Sequence, residues 1–482
     1  LDAALPFALT AGQREIGAQI AAELATAHPM HRLLQGEVGS GKTVCAVRAM
    51  LQVIDAGGQA ALLAPTEVLA AQHARSIRAL LGPLGRAGEL GSAEQATRVA
   101  LLTGSLSAAQ RRATLAEAAS GEAGIVVGTH ALLQEGVTFR DLGLVVVDEQ
   151  HRFGVEQRDA LRAKGGAVPP HVLVMTATPI PRTVAMTVFG DLETSALAEL
   201  PAGRSPIRTN VVPAAEKPGW LERVWERVRE EVAGGHQAYV VCPRIGEGSG
   251  SEDEAGEEDA RGGGEAPDGR PDEATDARRP PVAVSDVAPM LAAGPLAGLR
   301  LGVLHGRLPP EEKEAVMRAF AAGRLDVLVA TTVIEVGVDV ANAAVMVILD
   351  ADRFGVSQLH QLRGRVGRGT APGLCLLVTD TEAGTKARER LDAVASTTDG
   401  FRLAQLDLEQ RREGDVLGVA QSGRRRQLKL LSLLHDAELI VTARQEASTL
   451  VAADPALDGH PALAAVVADL VADDRAEYLD KT

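Results

Sequence analysis

The sequence predicts an α/β protein with two tandem parallel-sheet domains and a mostly helical C-terminal region. Short apolar segments alternate with helical stretches at spacings of about 25–35 residues, which is typical of βαβ units. The segments are continuously apolar, as expected for strands buried on both faces of a parallel sheet. The pattern stops near residues 201–203, which read Pro-Ala-Gly, and then begins again. This interruption predicts a domain boundary.

The first domain is predicted to span residues 1–205 and the second residues 206–380. Strands of the first domain are expected at His31–Leu34, Ala60–Ala64, Val99–Leu102, Ile125–Val127, Leu144–Val147 and Val172–Met175. Strands of the second are expected at Ala238–Cys242, Leu301–Leu304, Val327–Ala330, Ala344–Leu349 and Leu374–Val378. The remainder, 381–482, is expected to be helical, for example at Pro461–Leu470 and Asp474–Leu479.

An acidic segment interrupts the second domain. Residues 246–279 hold 12 acidic residues against 4 arginines, together with many glycines. Such a composition buries too little apolar surface to offset the entropy of ordering, so we predict a disordered insert over residues 246–281. The insert carries −8 of the net charge of −15. Bulk charge therefore does not argue against a nucleic-acid partner, because the rest of the chain carries only −7 and its arginines cluster.

Composition excludes several classes of protein. With 46% hydrophobic and 23% charged residues the chain is neither disordered nor fibrous. We expect no membrane span, because no apolar run reaches 18 residues, and no secretory signal, because no basic start is followed by an apolar stretch. Cys45, Cys242 and Cys375 are too widely spaced for a zinc ribbon or a disulfide framework, which predicts a cytoplasmic protein. Because the chain starts at Leu1, we expect a fragment whose upstream part is missing.

A phosphate-binding loop follows the first predicted strand and precedes a helix. It matches the pattern G-x-x-x-x-G-K-[ST] and consists of Gly36, Glu37, Val38, Gly39, Ser40, Gly41, Lys42 and Thr43. Glycines let backbone N–H groups surround phosphates, and the helix N-terminus adds positive potential. Lys42 would neutralise β/γ-phosphate charge and Thr43 would hold Mg²⁺. The sequence therefore predicts a site for ATP and Mg²⁺.

Two carboxylates end the strand at residues 144–147. At the C-terminal edge of a parallel sheet they would face a ligand. Asp148 is predicted to hold Mg²⁺, and Glu149 to orient and deprotonate the attacking water. Far along the chain, Arg363, Arg365 and Arg368 lie within six residues. They are either a basic nucleic-acid patch or contain an arginine finger, in which case Arg365 and Arg368 would reach the γ-phosphate.

The order of these motifs resembles that of superfamily-2 helicases with two RecA-like domains. Residues 9–13 resemble the adenine-reading Q motif, in which Gln13 would contact adenine. Residues 64–70, 128–130, 176–179 and 330–339 resemble motifs Ia, Ib, III and V. The resemblance implies DNA contact or coupling roles for Thr66, Thr129, His130, Gln150, His151, Thr176, Thr178, Thr331, Glu335, Gln361, Arg363 and Arg411. It also implies that Gly337 and Asp339 contact the nucleotide.

The resemblance narrows to the RecG branch and covers almost the whole chain. The segments that carry it are residues 30–36, 148–155, 178–183 and 354–365, followed by 398–401, 407–411 and 431–436. Residues 398–401 and 407–411 resemble the helical hairpin and loop that RecG and the transcription-repair coupling factor Mfd use for translocation, and residues 431–436 resemble the C-terminal segment of RecG. Two departures stand out. Residues 411–415 read Arg-Arg-Glu-Gly-Asp where the family has Arg-Gly-Pro-Gly-Glu, and the N-terminal wedge domain is absent from this sequence.

The resemblance implies an ATP-dependent translocase on double-stranded DNA that remodels stalled forks and Holliday-type junctions. A monomeric motor is expected, and a single-strand-binding protein is a candidate partner. Aromatic residues make up only 2% of the chain, which either favours tracking of duplex phosphates over base stacking or reflects the compositional bias of a chain rich in Ala, Gly and Arg. Two alternatives stay open: an Mfd-like transcription-repair translocase, and a nucleotide-gated DNA clamp without turnover.

Overall fold

The computed structural model describes residues 1–88, 91–93, 95–134, 136–148, 169–178, 180, 192–199, 207–246, 281–335, 340–369, 371–410 and 436–469. Within them the predicted α/β class is confirmed, with two parallel sheets. The chain divides into two compact units. The first contains Leu1–Pro181 and Gly190–Asp407, and therefore both sheets; the second contains Arg182–Phe189 and Leu408–Thr482. The predicted boundaries at 205/206 and 380/381 stay predictions.

The first sheet has, within the described residues, seven parallel strands in the order β3-β4-β2-β5-β6-β1-β7. The strands are β1 His31–Gly36, β2 Gln59–Leu63, β3 Arg98–Leu102, β4 Ala123–Gly128, β5 Leu142–Asp148, β6 His171–Thr176 and β7 Glu193–Leu197. The helices between them are α1 Ala11–Leu24, α2 Lys42–Asp55, α3 Glu67–Leu81 and α4 Ala108–Ser120. Leu34, Leu62 and Val146 are fully buried between this sheet and its helices. Burying each such side chain contributes roughly 1.5–3 kcal/mol.

The second sheet has six described strands in the order β10-β11-β9-β12-β13-β8. They are β8 Ile207–Pro213, β9 Gln237–Val241, β10 Leu301–Leu304, β11 Val327–Ala330, β12 Ala343–Ile348 and β13 Gly373–Thr379. The helices are α5 Pro218–Ala233, α6 Val284–Ala293, α7 Pro310–Ala321, α8 Val356–Arg363, α9 Lys386–Ser396 and α10 Gly400–Gln410. One apolar core lies on each face, the first around Tyr239 and Phe320 and the second around Val240 and Val347.

The helical C-terminal region is confirmed where the structure describes it. The second unit contains α11, Ala437–Ala453, and a helix over residues 461–469. The helix expected at Asp474–Leu479 lies outside the described residues, as does the predicted insert apart from Gly246 and Pro281. No helix in the described part of the chain is long and apolar enough to cross a membrane.

Two strands were not predicted, and both lie at sheet edges. β7 borders only β1, and β8 borders only β13. Along each of them buried side chains alternate, in part, with more exposed ones, so neither contains the continuous apolar run by which the other strands were recognised. The outer strands β3 and β10 were nevertheless predicted because they keep an apolar run, whereas polar residues such as Glu193, Arg208 and Asn210 interrupt β7 and β8.

The three cysteines are buried in the described structure. Burial raises the pKa of the Cys45 thiol to about 11 and those of Cys242 and Cys375 to about 12. Because the thiolate is the reactive form, all three should be inert at pH 8 in the folded protein. We expect DTNB to modify them only after denaturation, at a rate that tracks unfolding. Rapid modification of one thiol in native protein would contradict the packing described around it.

Candidate active site

The candidate residues of the first sheet lie along one edge. Asp148, Thr176 and Gly36 are the last residues of β5, β6 and β1. Thr129 directly follows β4, and Thr66 lies in the short connection between β2 and α3. All of these strands are parallel and neighbours in the order β4-β2-β5-β6-β1. Their C-terminal ends therefore meet at the same edge, where ligands of open α/β sheets bind. The predicted DNA contacts Thr66 and Thr129 follow β2 and β4, the nucleotide residues follow β5 and β1, and Thr176 at the end of β6 lies between those two strands.

The phosphate-binding loop joins β1 to α2. Gly39 and Gly41 have φ values of 85° and 90°, in the left-handed region that favours glycine. A Cβ atom on Gly36 would lie 2.5 Å from Ser40 Oγ, so the close turn requires glycine there as well. Lys42 Nζ donates hydrogen bonds to the carbonyl oxygens of Gly36 at 2.7 Å and Glu37 at 2.9 Å. A bound phosphate would compete with these carbonyl groups for the ammonium group.

Gln13 lies against this loop with 2% of its surface exposed. Its Nε2 atom donates to the Ser40 carbonyl at 2.8 Å, and its Oε1 accepts from the Thr10 amide at 3.0 Å in the capping box of α1. Nearby, Glu199 Oε2 accepts from the Gly12 amide at 3.2 Å, which holds the pKa of Glu199 below its usual value. In this structure Gln13 thus supports the loop, and its contact with adenine stays a prediction.

Asp148 has a partner that sequence analysis missed. Its Oδ2 atom lies 2.7 Å from Nε2 of His73, and both side chains are largely buried. No described residue bonds to Oδ1 of Asp148. His73 lies on α3, beyond the stretch that resembles motif Ia, and a single histidine on a helix gave no signal of this contact. Glu149, Gln150 and His151 lie outside the described residues.

The end of β6 is tied to β1. The hydroxyl oxygens of Thr176 and Thr178 are 2.7 Å apart, and the Thr178 amide donates to Thr176 Oγ1 at 3.1 Å. The Ile180 amide donates to Gln35 Oε1 at 3.0 Å. Gln35, which is 3% exposed, directly precedes the phosphate-binding loop. It was missed as a site residue, although a polar residue at the end of an apolar strand was a visible signal.

Thr66 and Thr129 are both helix N-caps. Thr66 Oγ1 accepts from the Leu69 amide at 3.3 Å, and Thr129 Oγ1 accepts from the Ala131 amide at 3.5 Å. Each hydroxyl proton remains available to donate. Thr129 is buried, whereas His130 beside it is exposed. Thr66, half-buried at the N-terminus of α3, suits a sequence-independent contact to phosphate, whereas the DNA contact of the buried Thr129 stays a prediction.

The candidates of the second sheet are only partly described. Thr331 follows β11 and is buried, and Glu335 ends a short 3-10 helix over Thr332–Glu335. Gln361 is buried on α8. Gly337, Asp339 and Arg411 lie outside the described residues.

Arg363 has the surroundings of a structural side chain. Its Nη1 atom donates to the carbonyl oxygens of Val394 at 2.7 Å and Thr397 at 2.6 Å, at the end of α9. Its Nη2 atom lies 2.7 Å from His360 Nδ1, and only 2% of the residue is exposed. A DNA phosphate could reach this guanidinium only by displacing those acceptors. The predicted DNA contact therefore does not fit the buried position, whereas a coupling role does.

The phosphate-binding loop contacts the second half of the first unit. Glu37 Oε1 accepts from the Gly400 amide at 3.0 Å and lies 3.9 Å from His360 Nε2. A Cβ atom on Gly364 would lie 3.6 Å from Cβ of Val38. The segment that carries the predicted arginine finger therefore begins next to the phosphate-binding loop.

Arg365 and Arg368 follow within this segment, and both are half-buried. Arg368 Nε donates to the Gly364 carbonyl at 3.0 Å. Their approach to a γ-phosphate stays a prediction.

Comparison with known proteins identifies the family. Three family models match the chain: DEAD/DEAH box helicase over residues 13–187, helicase conserved C-terminal domain over 284–370, and the C-terminal part of domain 3 of ATP-dependent DNA helicase RecG over 397–471. The ATP-dependent DNA helicase RecG of Mycobacterium tuberculosis (strain ATCC 25618 / H37Rv) is 58% identical over 484 residues, which cover 99% of this chain and 62% of that protein. This chain belongs to the RecG family. The resemblance inferred from the motifs is thereby confirmed.

Further similar proteins support this assignment to the RecG family. The RecG helicase of Bacillus subtilis is 44% identical, with 93% of this chain and 59% of that protein covered. The chain thus spans about three fifths of the length of these curated relatives. A solved structure of RecG bound to a three-way DNA junction matches with a TM-score of 0.67 and 37% identity, and covers 90% of this chain and 51% of that one. The helicase MrfA bound to DNA, at 17% identity and a TM-score of 0.52 with 82% and 51% covered, shows the fold alone.

The contact between Glu37 and Gly400 can be tested directly. Glu37→Ala removes the acceptor of the Gly400 amide, so that amide should exchange with deuterium faster. A hydrogen bond to a charged group is worth roughly 1.5–3 kcal/mol, so we expect about tenfold faster exchange or more. Hydrogen exchange of a peptide spanning residues 397–403, read by mass spectrometry, measures it. Glu117→Ala, which removes a carboxylate paired with Arg98 at 2.9 Å, is the matched control. Equal exchange in the two variants would contradict the contact.

Proposed function

We propose that this chain is the ATP-driven motor of a RecG-type DNA helicase. It hydrolyses ATP, moves along double-stranded DNA and remodels branched DNA such as stalled forks and Holliday junctions. One observation carries the proposal: five parallel strand ends place the candidate DNA contacts beside the candidate nucleotide residues, and the phosphate-binding loop contacts the second half of the same unit. The relative bound to a three-way junction supports the choice of branched DNA.

The candidate nucleotide-binding and catalytic residues have different roles in ATP hydrolysis. Backbone N–H groups of the loop and Lys42 would bind the β- and γ-phosphates, and Glu149 would take the proton of the attacking water. Arg365 and Arg368 would stabilise charge that develops on the γ-phosphate. Gln35, which precedes the phosphate-binding loop, accepts a hydrogen bond from the Ile180 amide, and Thr178 bonds to Thr176 at the end of β6. A shift of the loop can therefore be transmitted to the end of β6.

The site also suits Mg²⁺. Asp148 and Thr43 offer carboxylate and hydroxyl oxygens, the donors that this hard cation prefers. The Oδ2 atom of Asp148 is held by His73, and no described residue bonds to Oδ1, which leaves that oxygen for the ion or one of its waters. When bound, Mg²⁺ would offset phosphate charge. Thr43 and Asp148 would hold it in place.

DNA contacts in this proposal are made to the phosphate backbone. Thr66 and Thr129 follow the neighbouring strands β2 and β4 of the first sheet, Thr331 follows β11 of the second, and all three carry hydroxyl groups suited to phosphate. Contact with the backbone requires no base sequence, as a translocase needs. We further propose that the motor works as a monomer and that a single-strand-binding protein is a candidate partner.

The active-site assignment is tested by steady-state ATPase assays. We measure turnover without DNA, with single-stranded DNA, with linear duplex and with a three-way junction. Duplex and junction should stimulate turnover, and Lys42→Ala should reduce it to background because the phosphates lose their ammonium partner. Lys217→Ala, which removes a lysine stacked 4.2 Å over Trp220, is the control and should behave as wild type. A nucleotide-gated clamp would instead bind ATP and DNA without turnover.

The arginine finger is tested separately. Arg365→Ala should lower kcat by about 10³–10⁵-fold if the finger acts as strongly as in the best cases. Binding of ATP, measured with a fluorescent analogue, should change much less, because the finger acts on charge that develops during hydrolysis. Arg223→Ala is the control, since the partners of that arginine in the described part of the chain are Glu226 and Glu230 on the surface of α5. An unchanged kcat in Arg365→Ala would refute its assignment as the finger.

A further inference from the structure

We propose that His73 is a positioning residue that links DNA contact at the start of α3 to the orientation of Asp148. The inference rests on the proposed function, because it concerns the metal and DNA sites of the motor. It adds a residue outside the predicted motifs. His73 touches neither DNA nor nucleotide in this scheme and acts through Asp148.

The contact is short and sheltered. His73 Nε2 lies 2.7 Å from Asp148 Oδ2, and the two side chains are 13% and 14% exposed. An ionised carboxylate can only accept, so the hydrogen bond places a proton on Nε2. Holding Oδ2 fixes the rotation of the carboxylate about its Cβ–Cγ bond. His73 therefore decides where Oδ1 points, and Oδ1 is the oxygen that the described residues leave for the metal.

The helix that carries His73 also carries a candidate DNA contact. Thr66 caps α3, and in the first turn Glu67 Oε1 accepts from the Gly104 amide at 2.8 Å. His73 lies seven residues after Thr66, which corresponds to about 10 Å along the helix axis. One strand, β2, leads into this helix, and its neighbour β5 ends in Asp148. The helix thus carries both Thr66, a candidate DNA contact, and the side chain that holds Asp148.

α3 behaves as one body because its inner face is packed along its length. Leu69, Ala70, Ala74, Ile77 and Leu81 are buried, and the helix lies over β3 and β4. A movement of its N-terminus when phosphate binds would therefore shift His73 as well. Since the histidine holds Asp148, the metal site would respond to DNA. By reciprocity, a metal-bound nucleotide would change the affinity for DNA by the same factor.

The size of the effect follows from other metal sites. Groups that hydrogen-bond to metal ligands typically change metal affinity or activity by about 10–100-fold when they are removed. A purely structural histidine would instead lower the melting temperature and leave the metal dependence unchanged. The two roles are separable by measuring binding at several Mg²⁺ concentrations.

The experiment measures binding of a fluorescent, non-hydrolysable ATP analogue. It is titrated in EDTA and at increasing Mg²⁺, with and without linear duplex. His73→Phe keeps a ring without the donor, His73→Gln restores an N–H donor, and His73→Asn is too short to reach Asp148. Ser76→Ala, an exposed position on the same helix, is the matched control. Melting temperatures of all variants are recorded.

We expect His73→Phe and His73→Asn to raise the half-saturating Mg²⁺ concentration by about 10–100-fold and to abolish the effect of duplex on it. Binding in EDTA should stay within about twofold, and His73→Gln should recover most of the Mg²⁺ dependence. If the His73→Phe variant fails to fold, the His73→Asn variant alone tests the proposal. Unchanged Mg²⁺ dependence in a folded Phe or Asn variant would overturn the proposal, as would a loss that Gln does not rescue. Absence of any duplex effect in the wild type would instead count against the proposed function.

Discussion

The parallel register of the first sheet is the constraint on which the candidate site depends. Leu63 of β2 pairs with Gly128 of β4 and with Val147 of β5, while Gln35 of β1 pairs with Thr176 of β6. The strands therefore end within a residue or two of one another. Each is buried on both faces, so a slipped register would expose apolar side chains as well as displace the loops. The same hydrophobic pattern that stabilises the sheet thus places the chemistry at its edge.

The second constraint is that the phosphate-binding loop belongs to two networks at once. Within the first sheet it is held by Gln13, and Gln35 directly before it joins it to the end of β6. Toward the second sheet, Glu37 accepts from the Gly400 amide, while His360 and Arg363 continue the polar contacts to the end of α9. Because Arg363 can only donate hydrogen bonds, Nδ1 of His360 must accept one. The ring proton of His360 is then on Nε2, the nitrogen on the side where Glu37 lies. The loop is therefore surrounded by oriented groups from both halves.

Much of this arrangement could be predicted from sequence because it follows from patterns with a physical cause. Continuous apolar runs predicted the central strands, and glycine spacing predicted the phosphate-binding loop. The strands β7 and β8 were missed because polar residues within them leave no continuous apolar run. His73 was missed because its importance depends on the distance to Asp148, 75 residues away, which no local pattern encodes. For Arg363 the family resemblance implied a DNA contact or a coupling role, whereas its burial depends on where α9 ends.

In the motor proposed above, the hydrogen bond between Glu37 and Gly400 has a mechanical consequence. If bound ATP strengthens contacts between the two sheets, then any load that pulls them apart must weaken ATP binding by the same free energy. A tether opposing movement along DNA would then slow the enzyme by raising its apparent KM for ATP, before it lowered the rate at saturating ATP. In such a motor, stalling under load would begin with weaker binding of ATP.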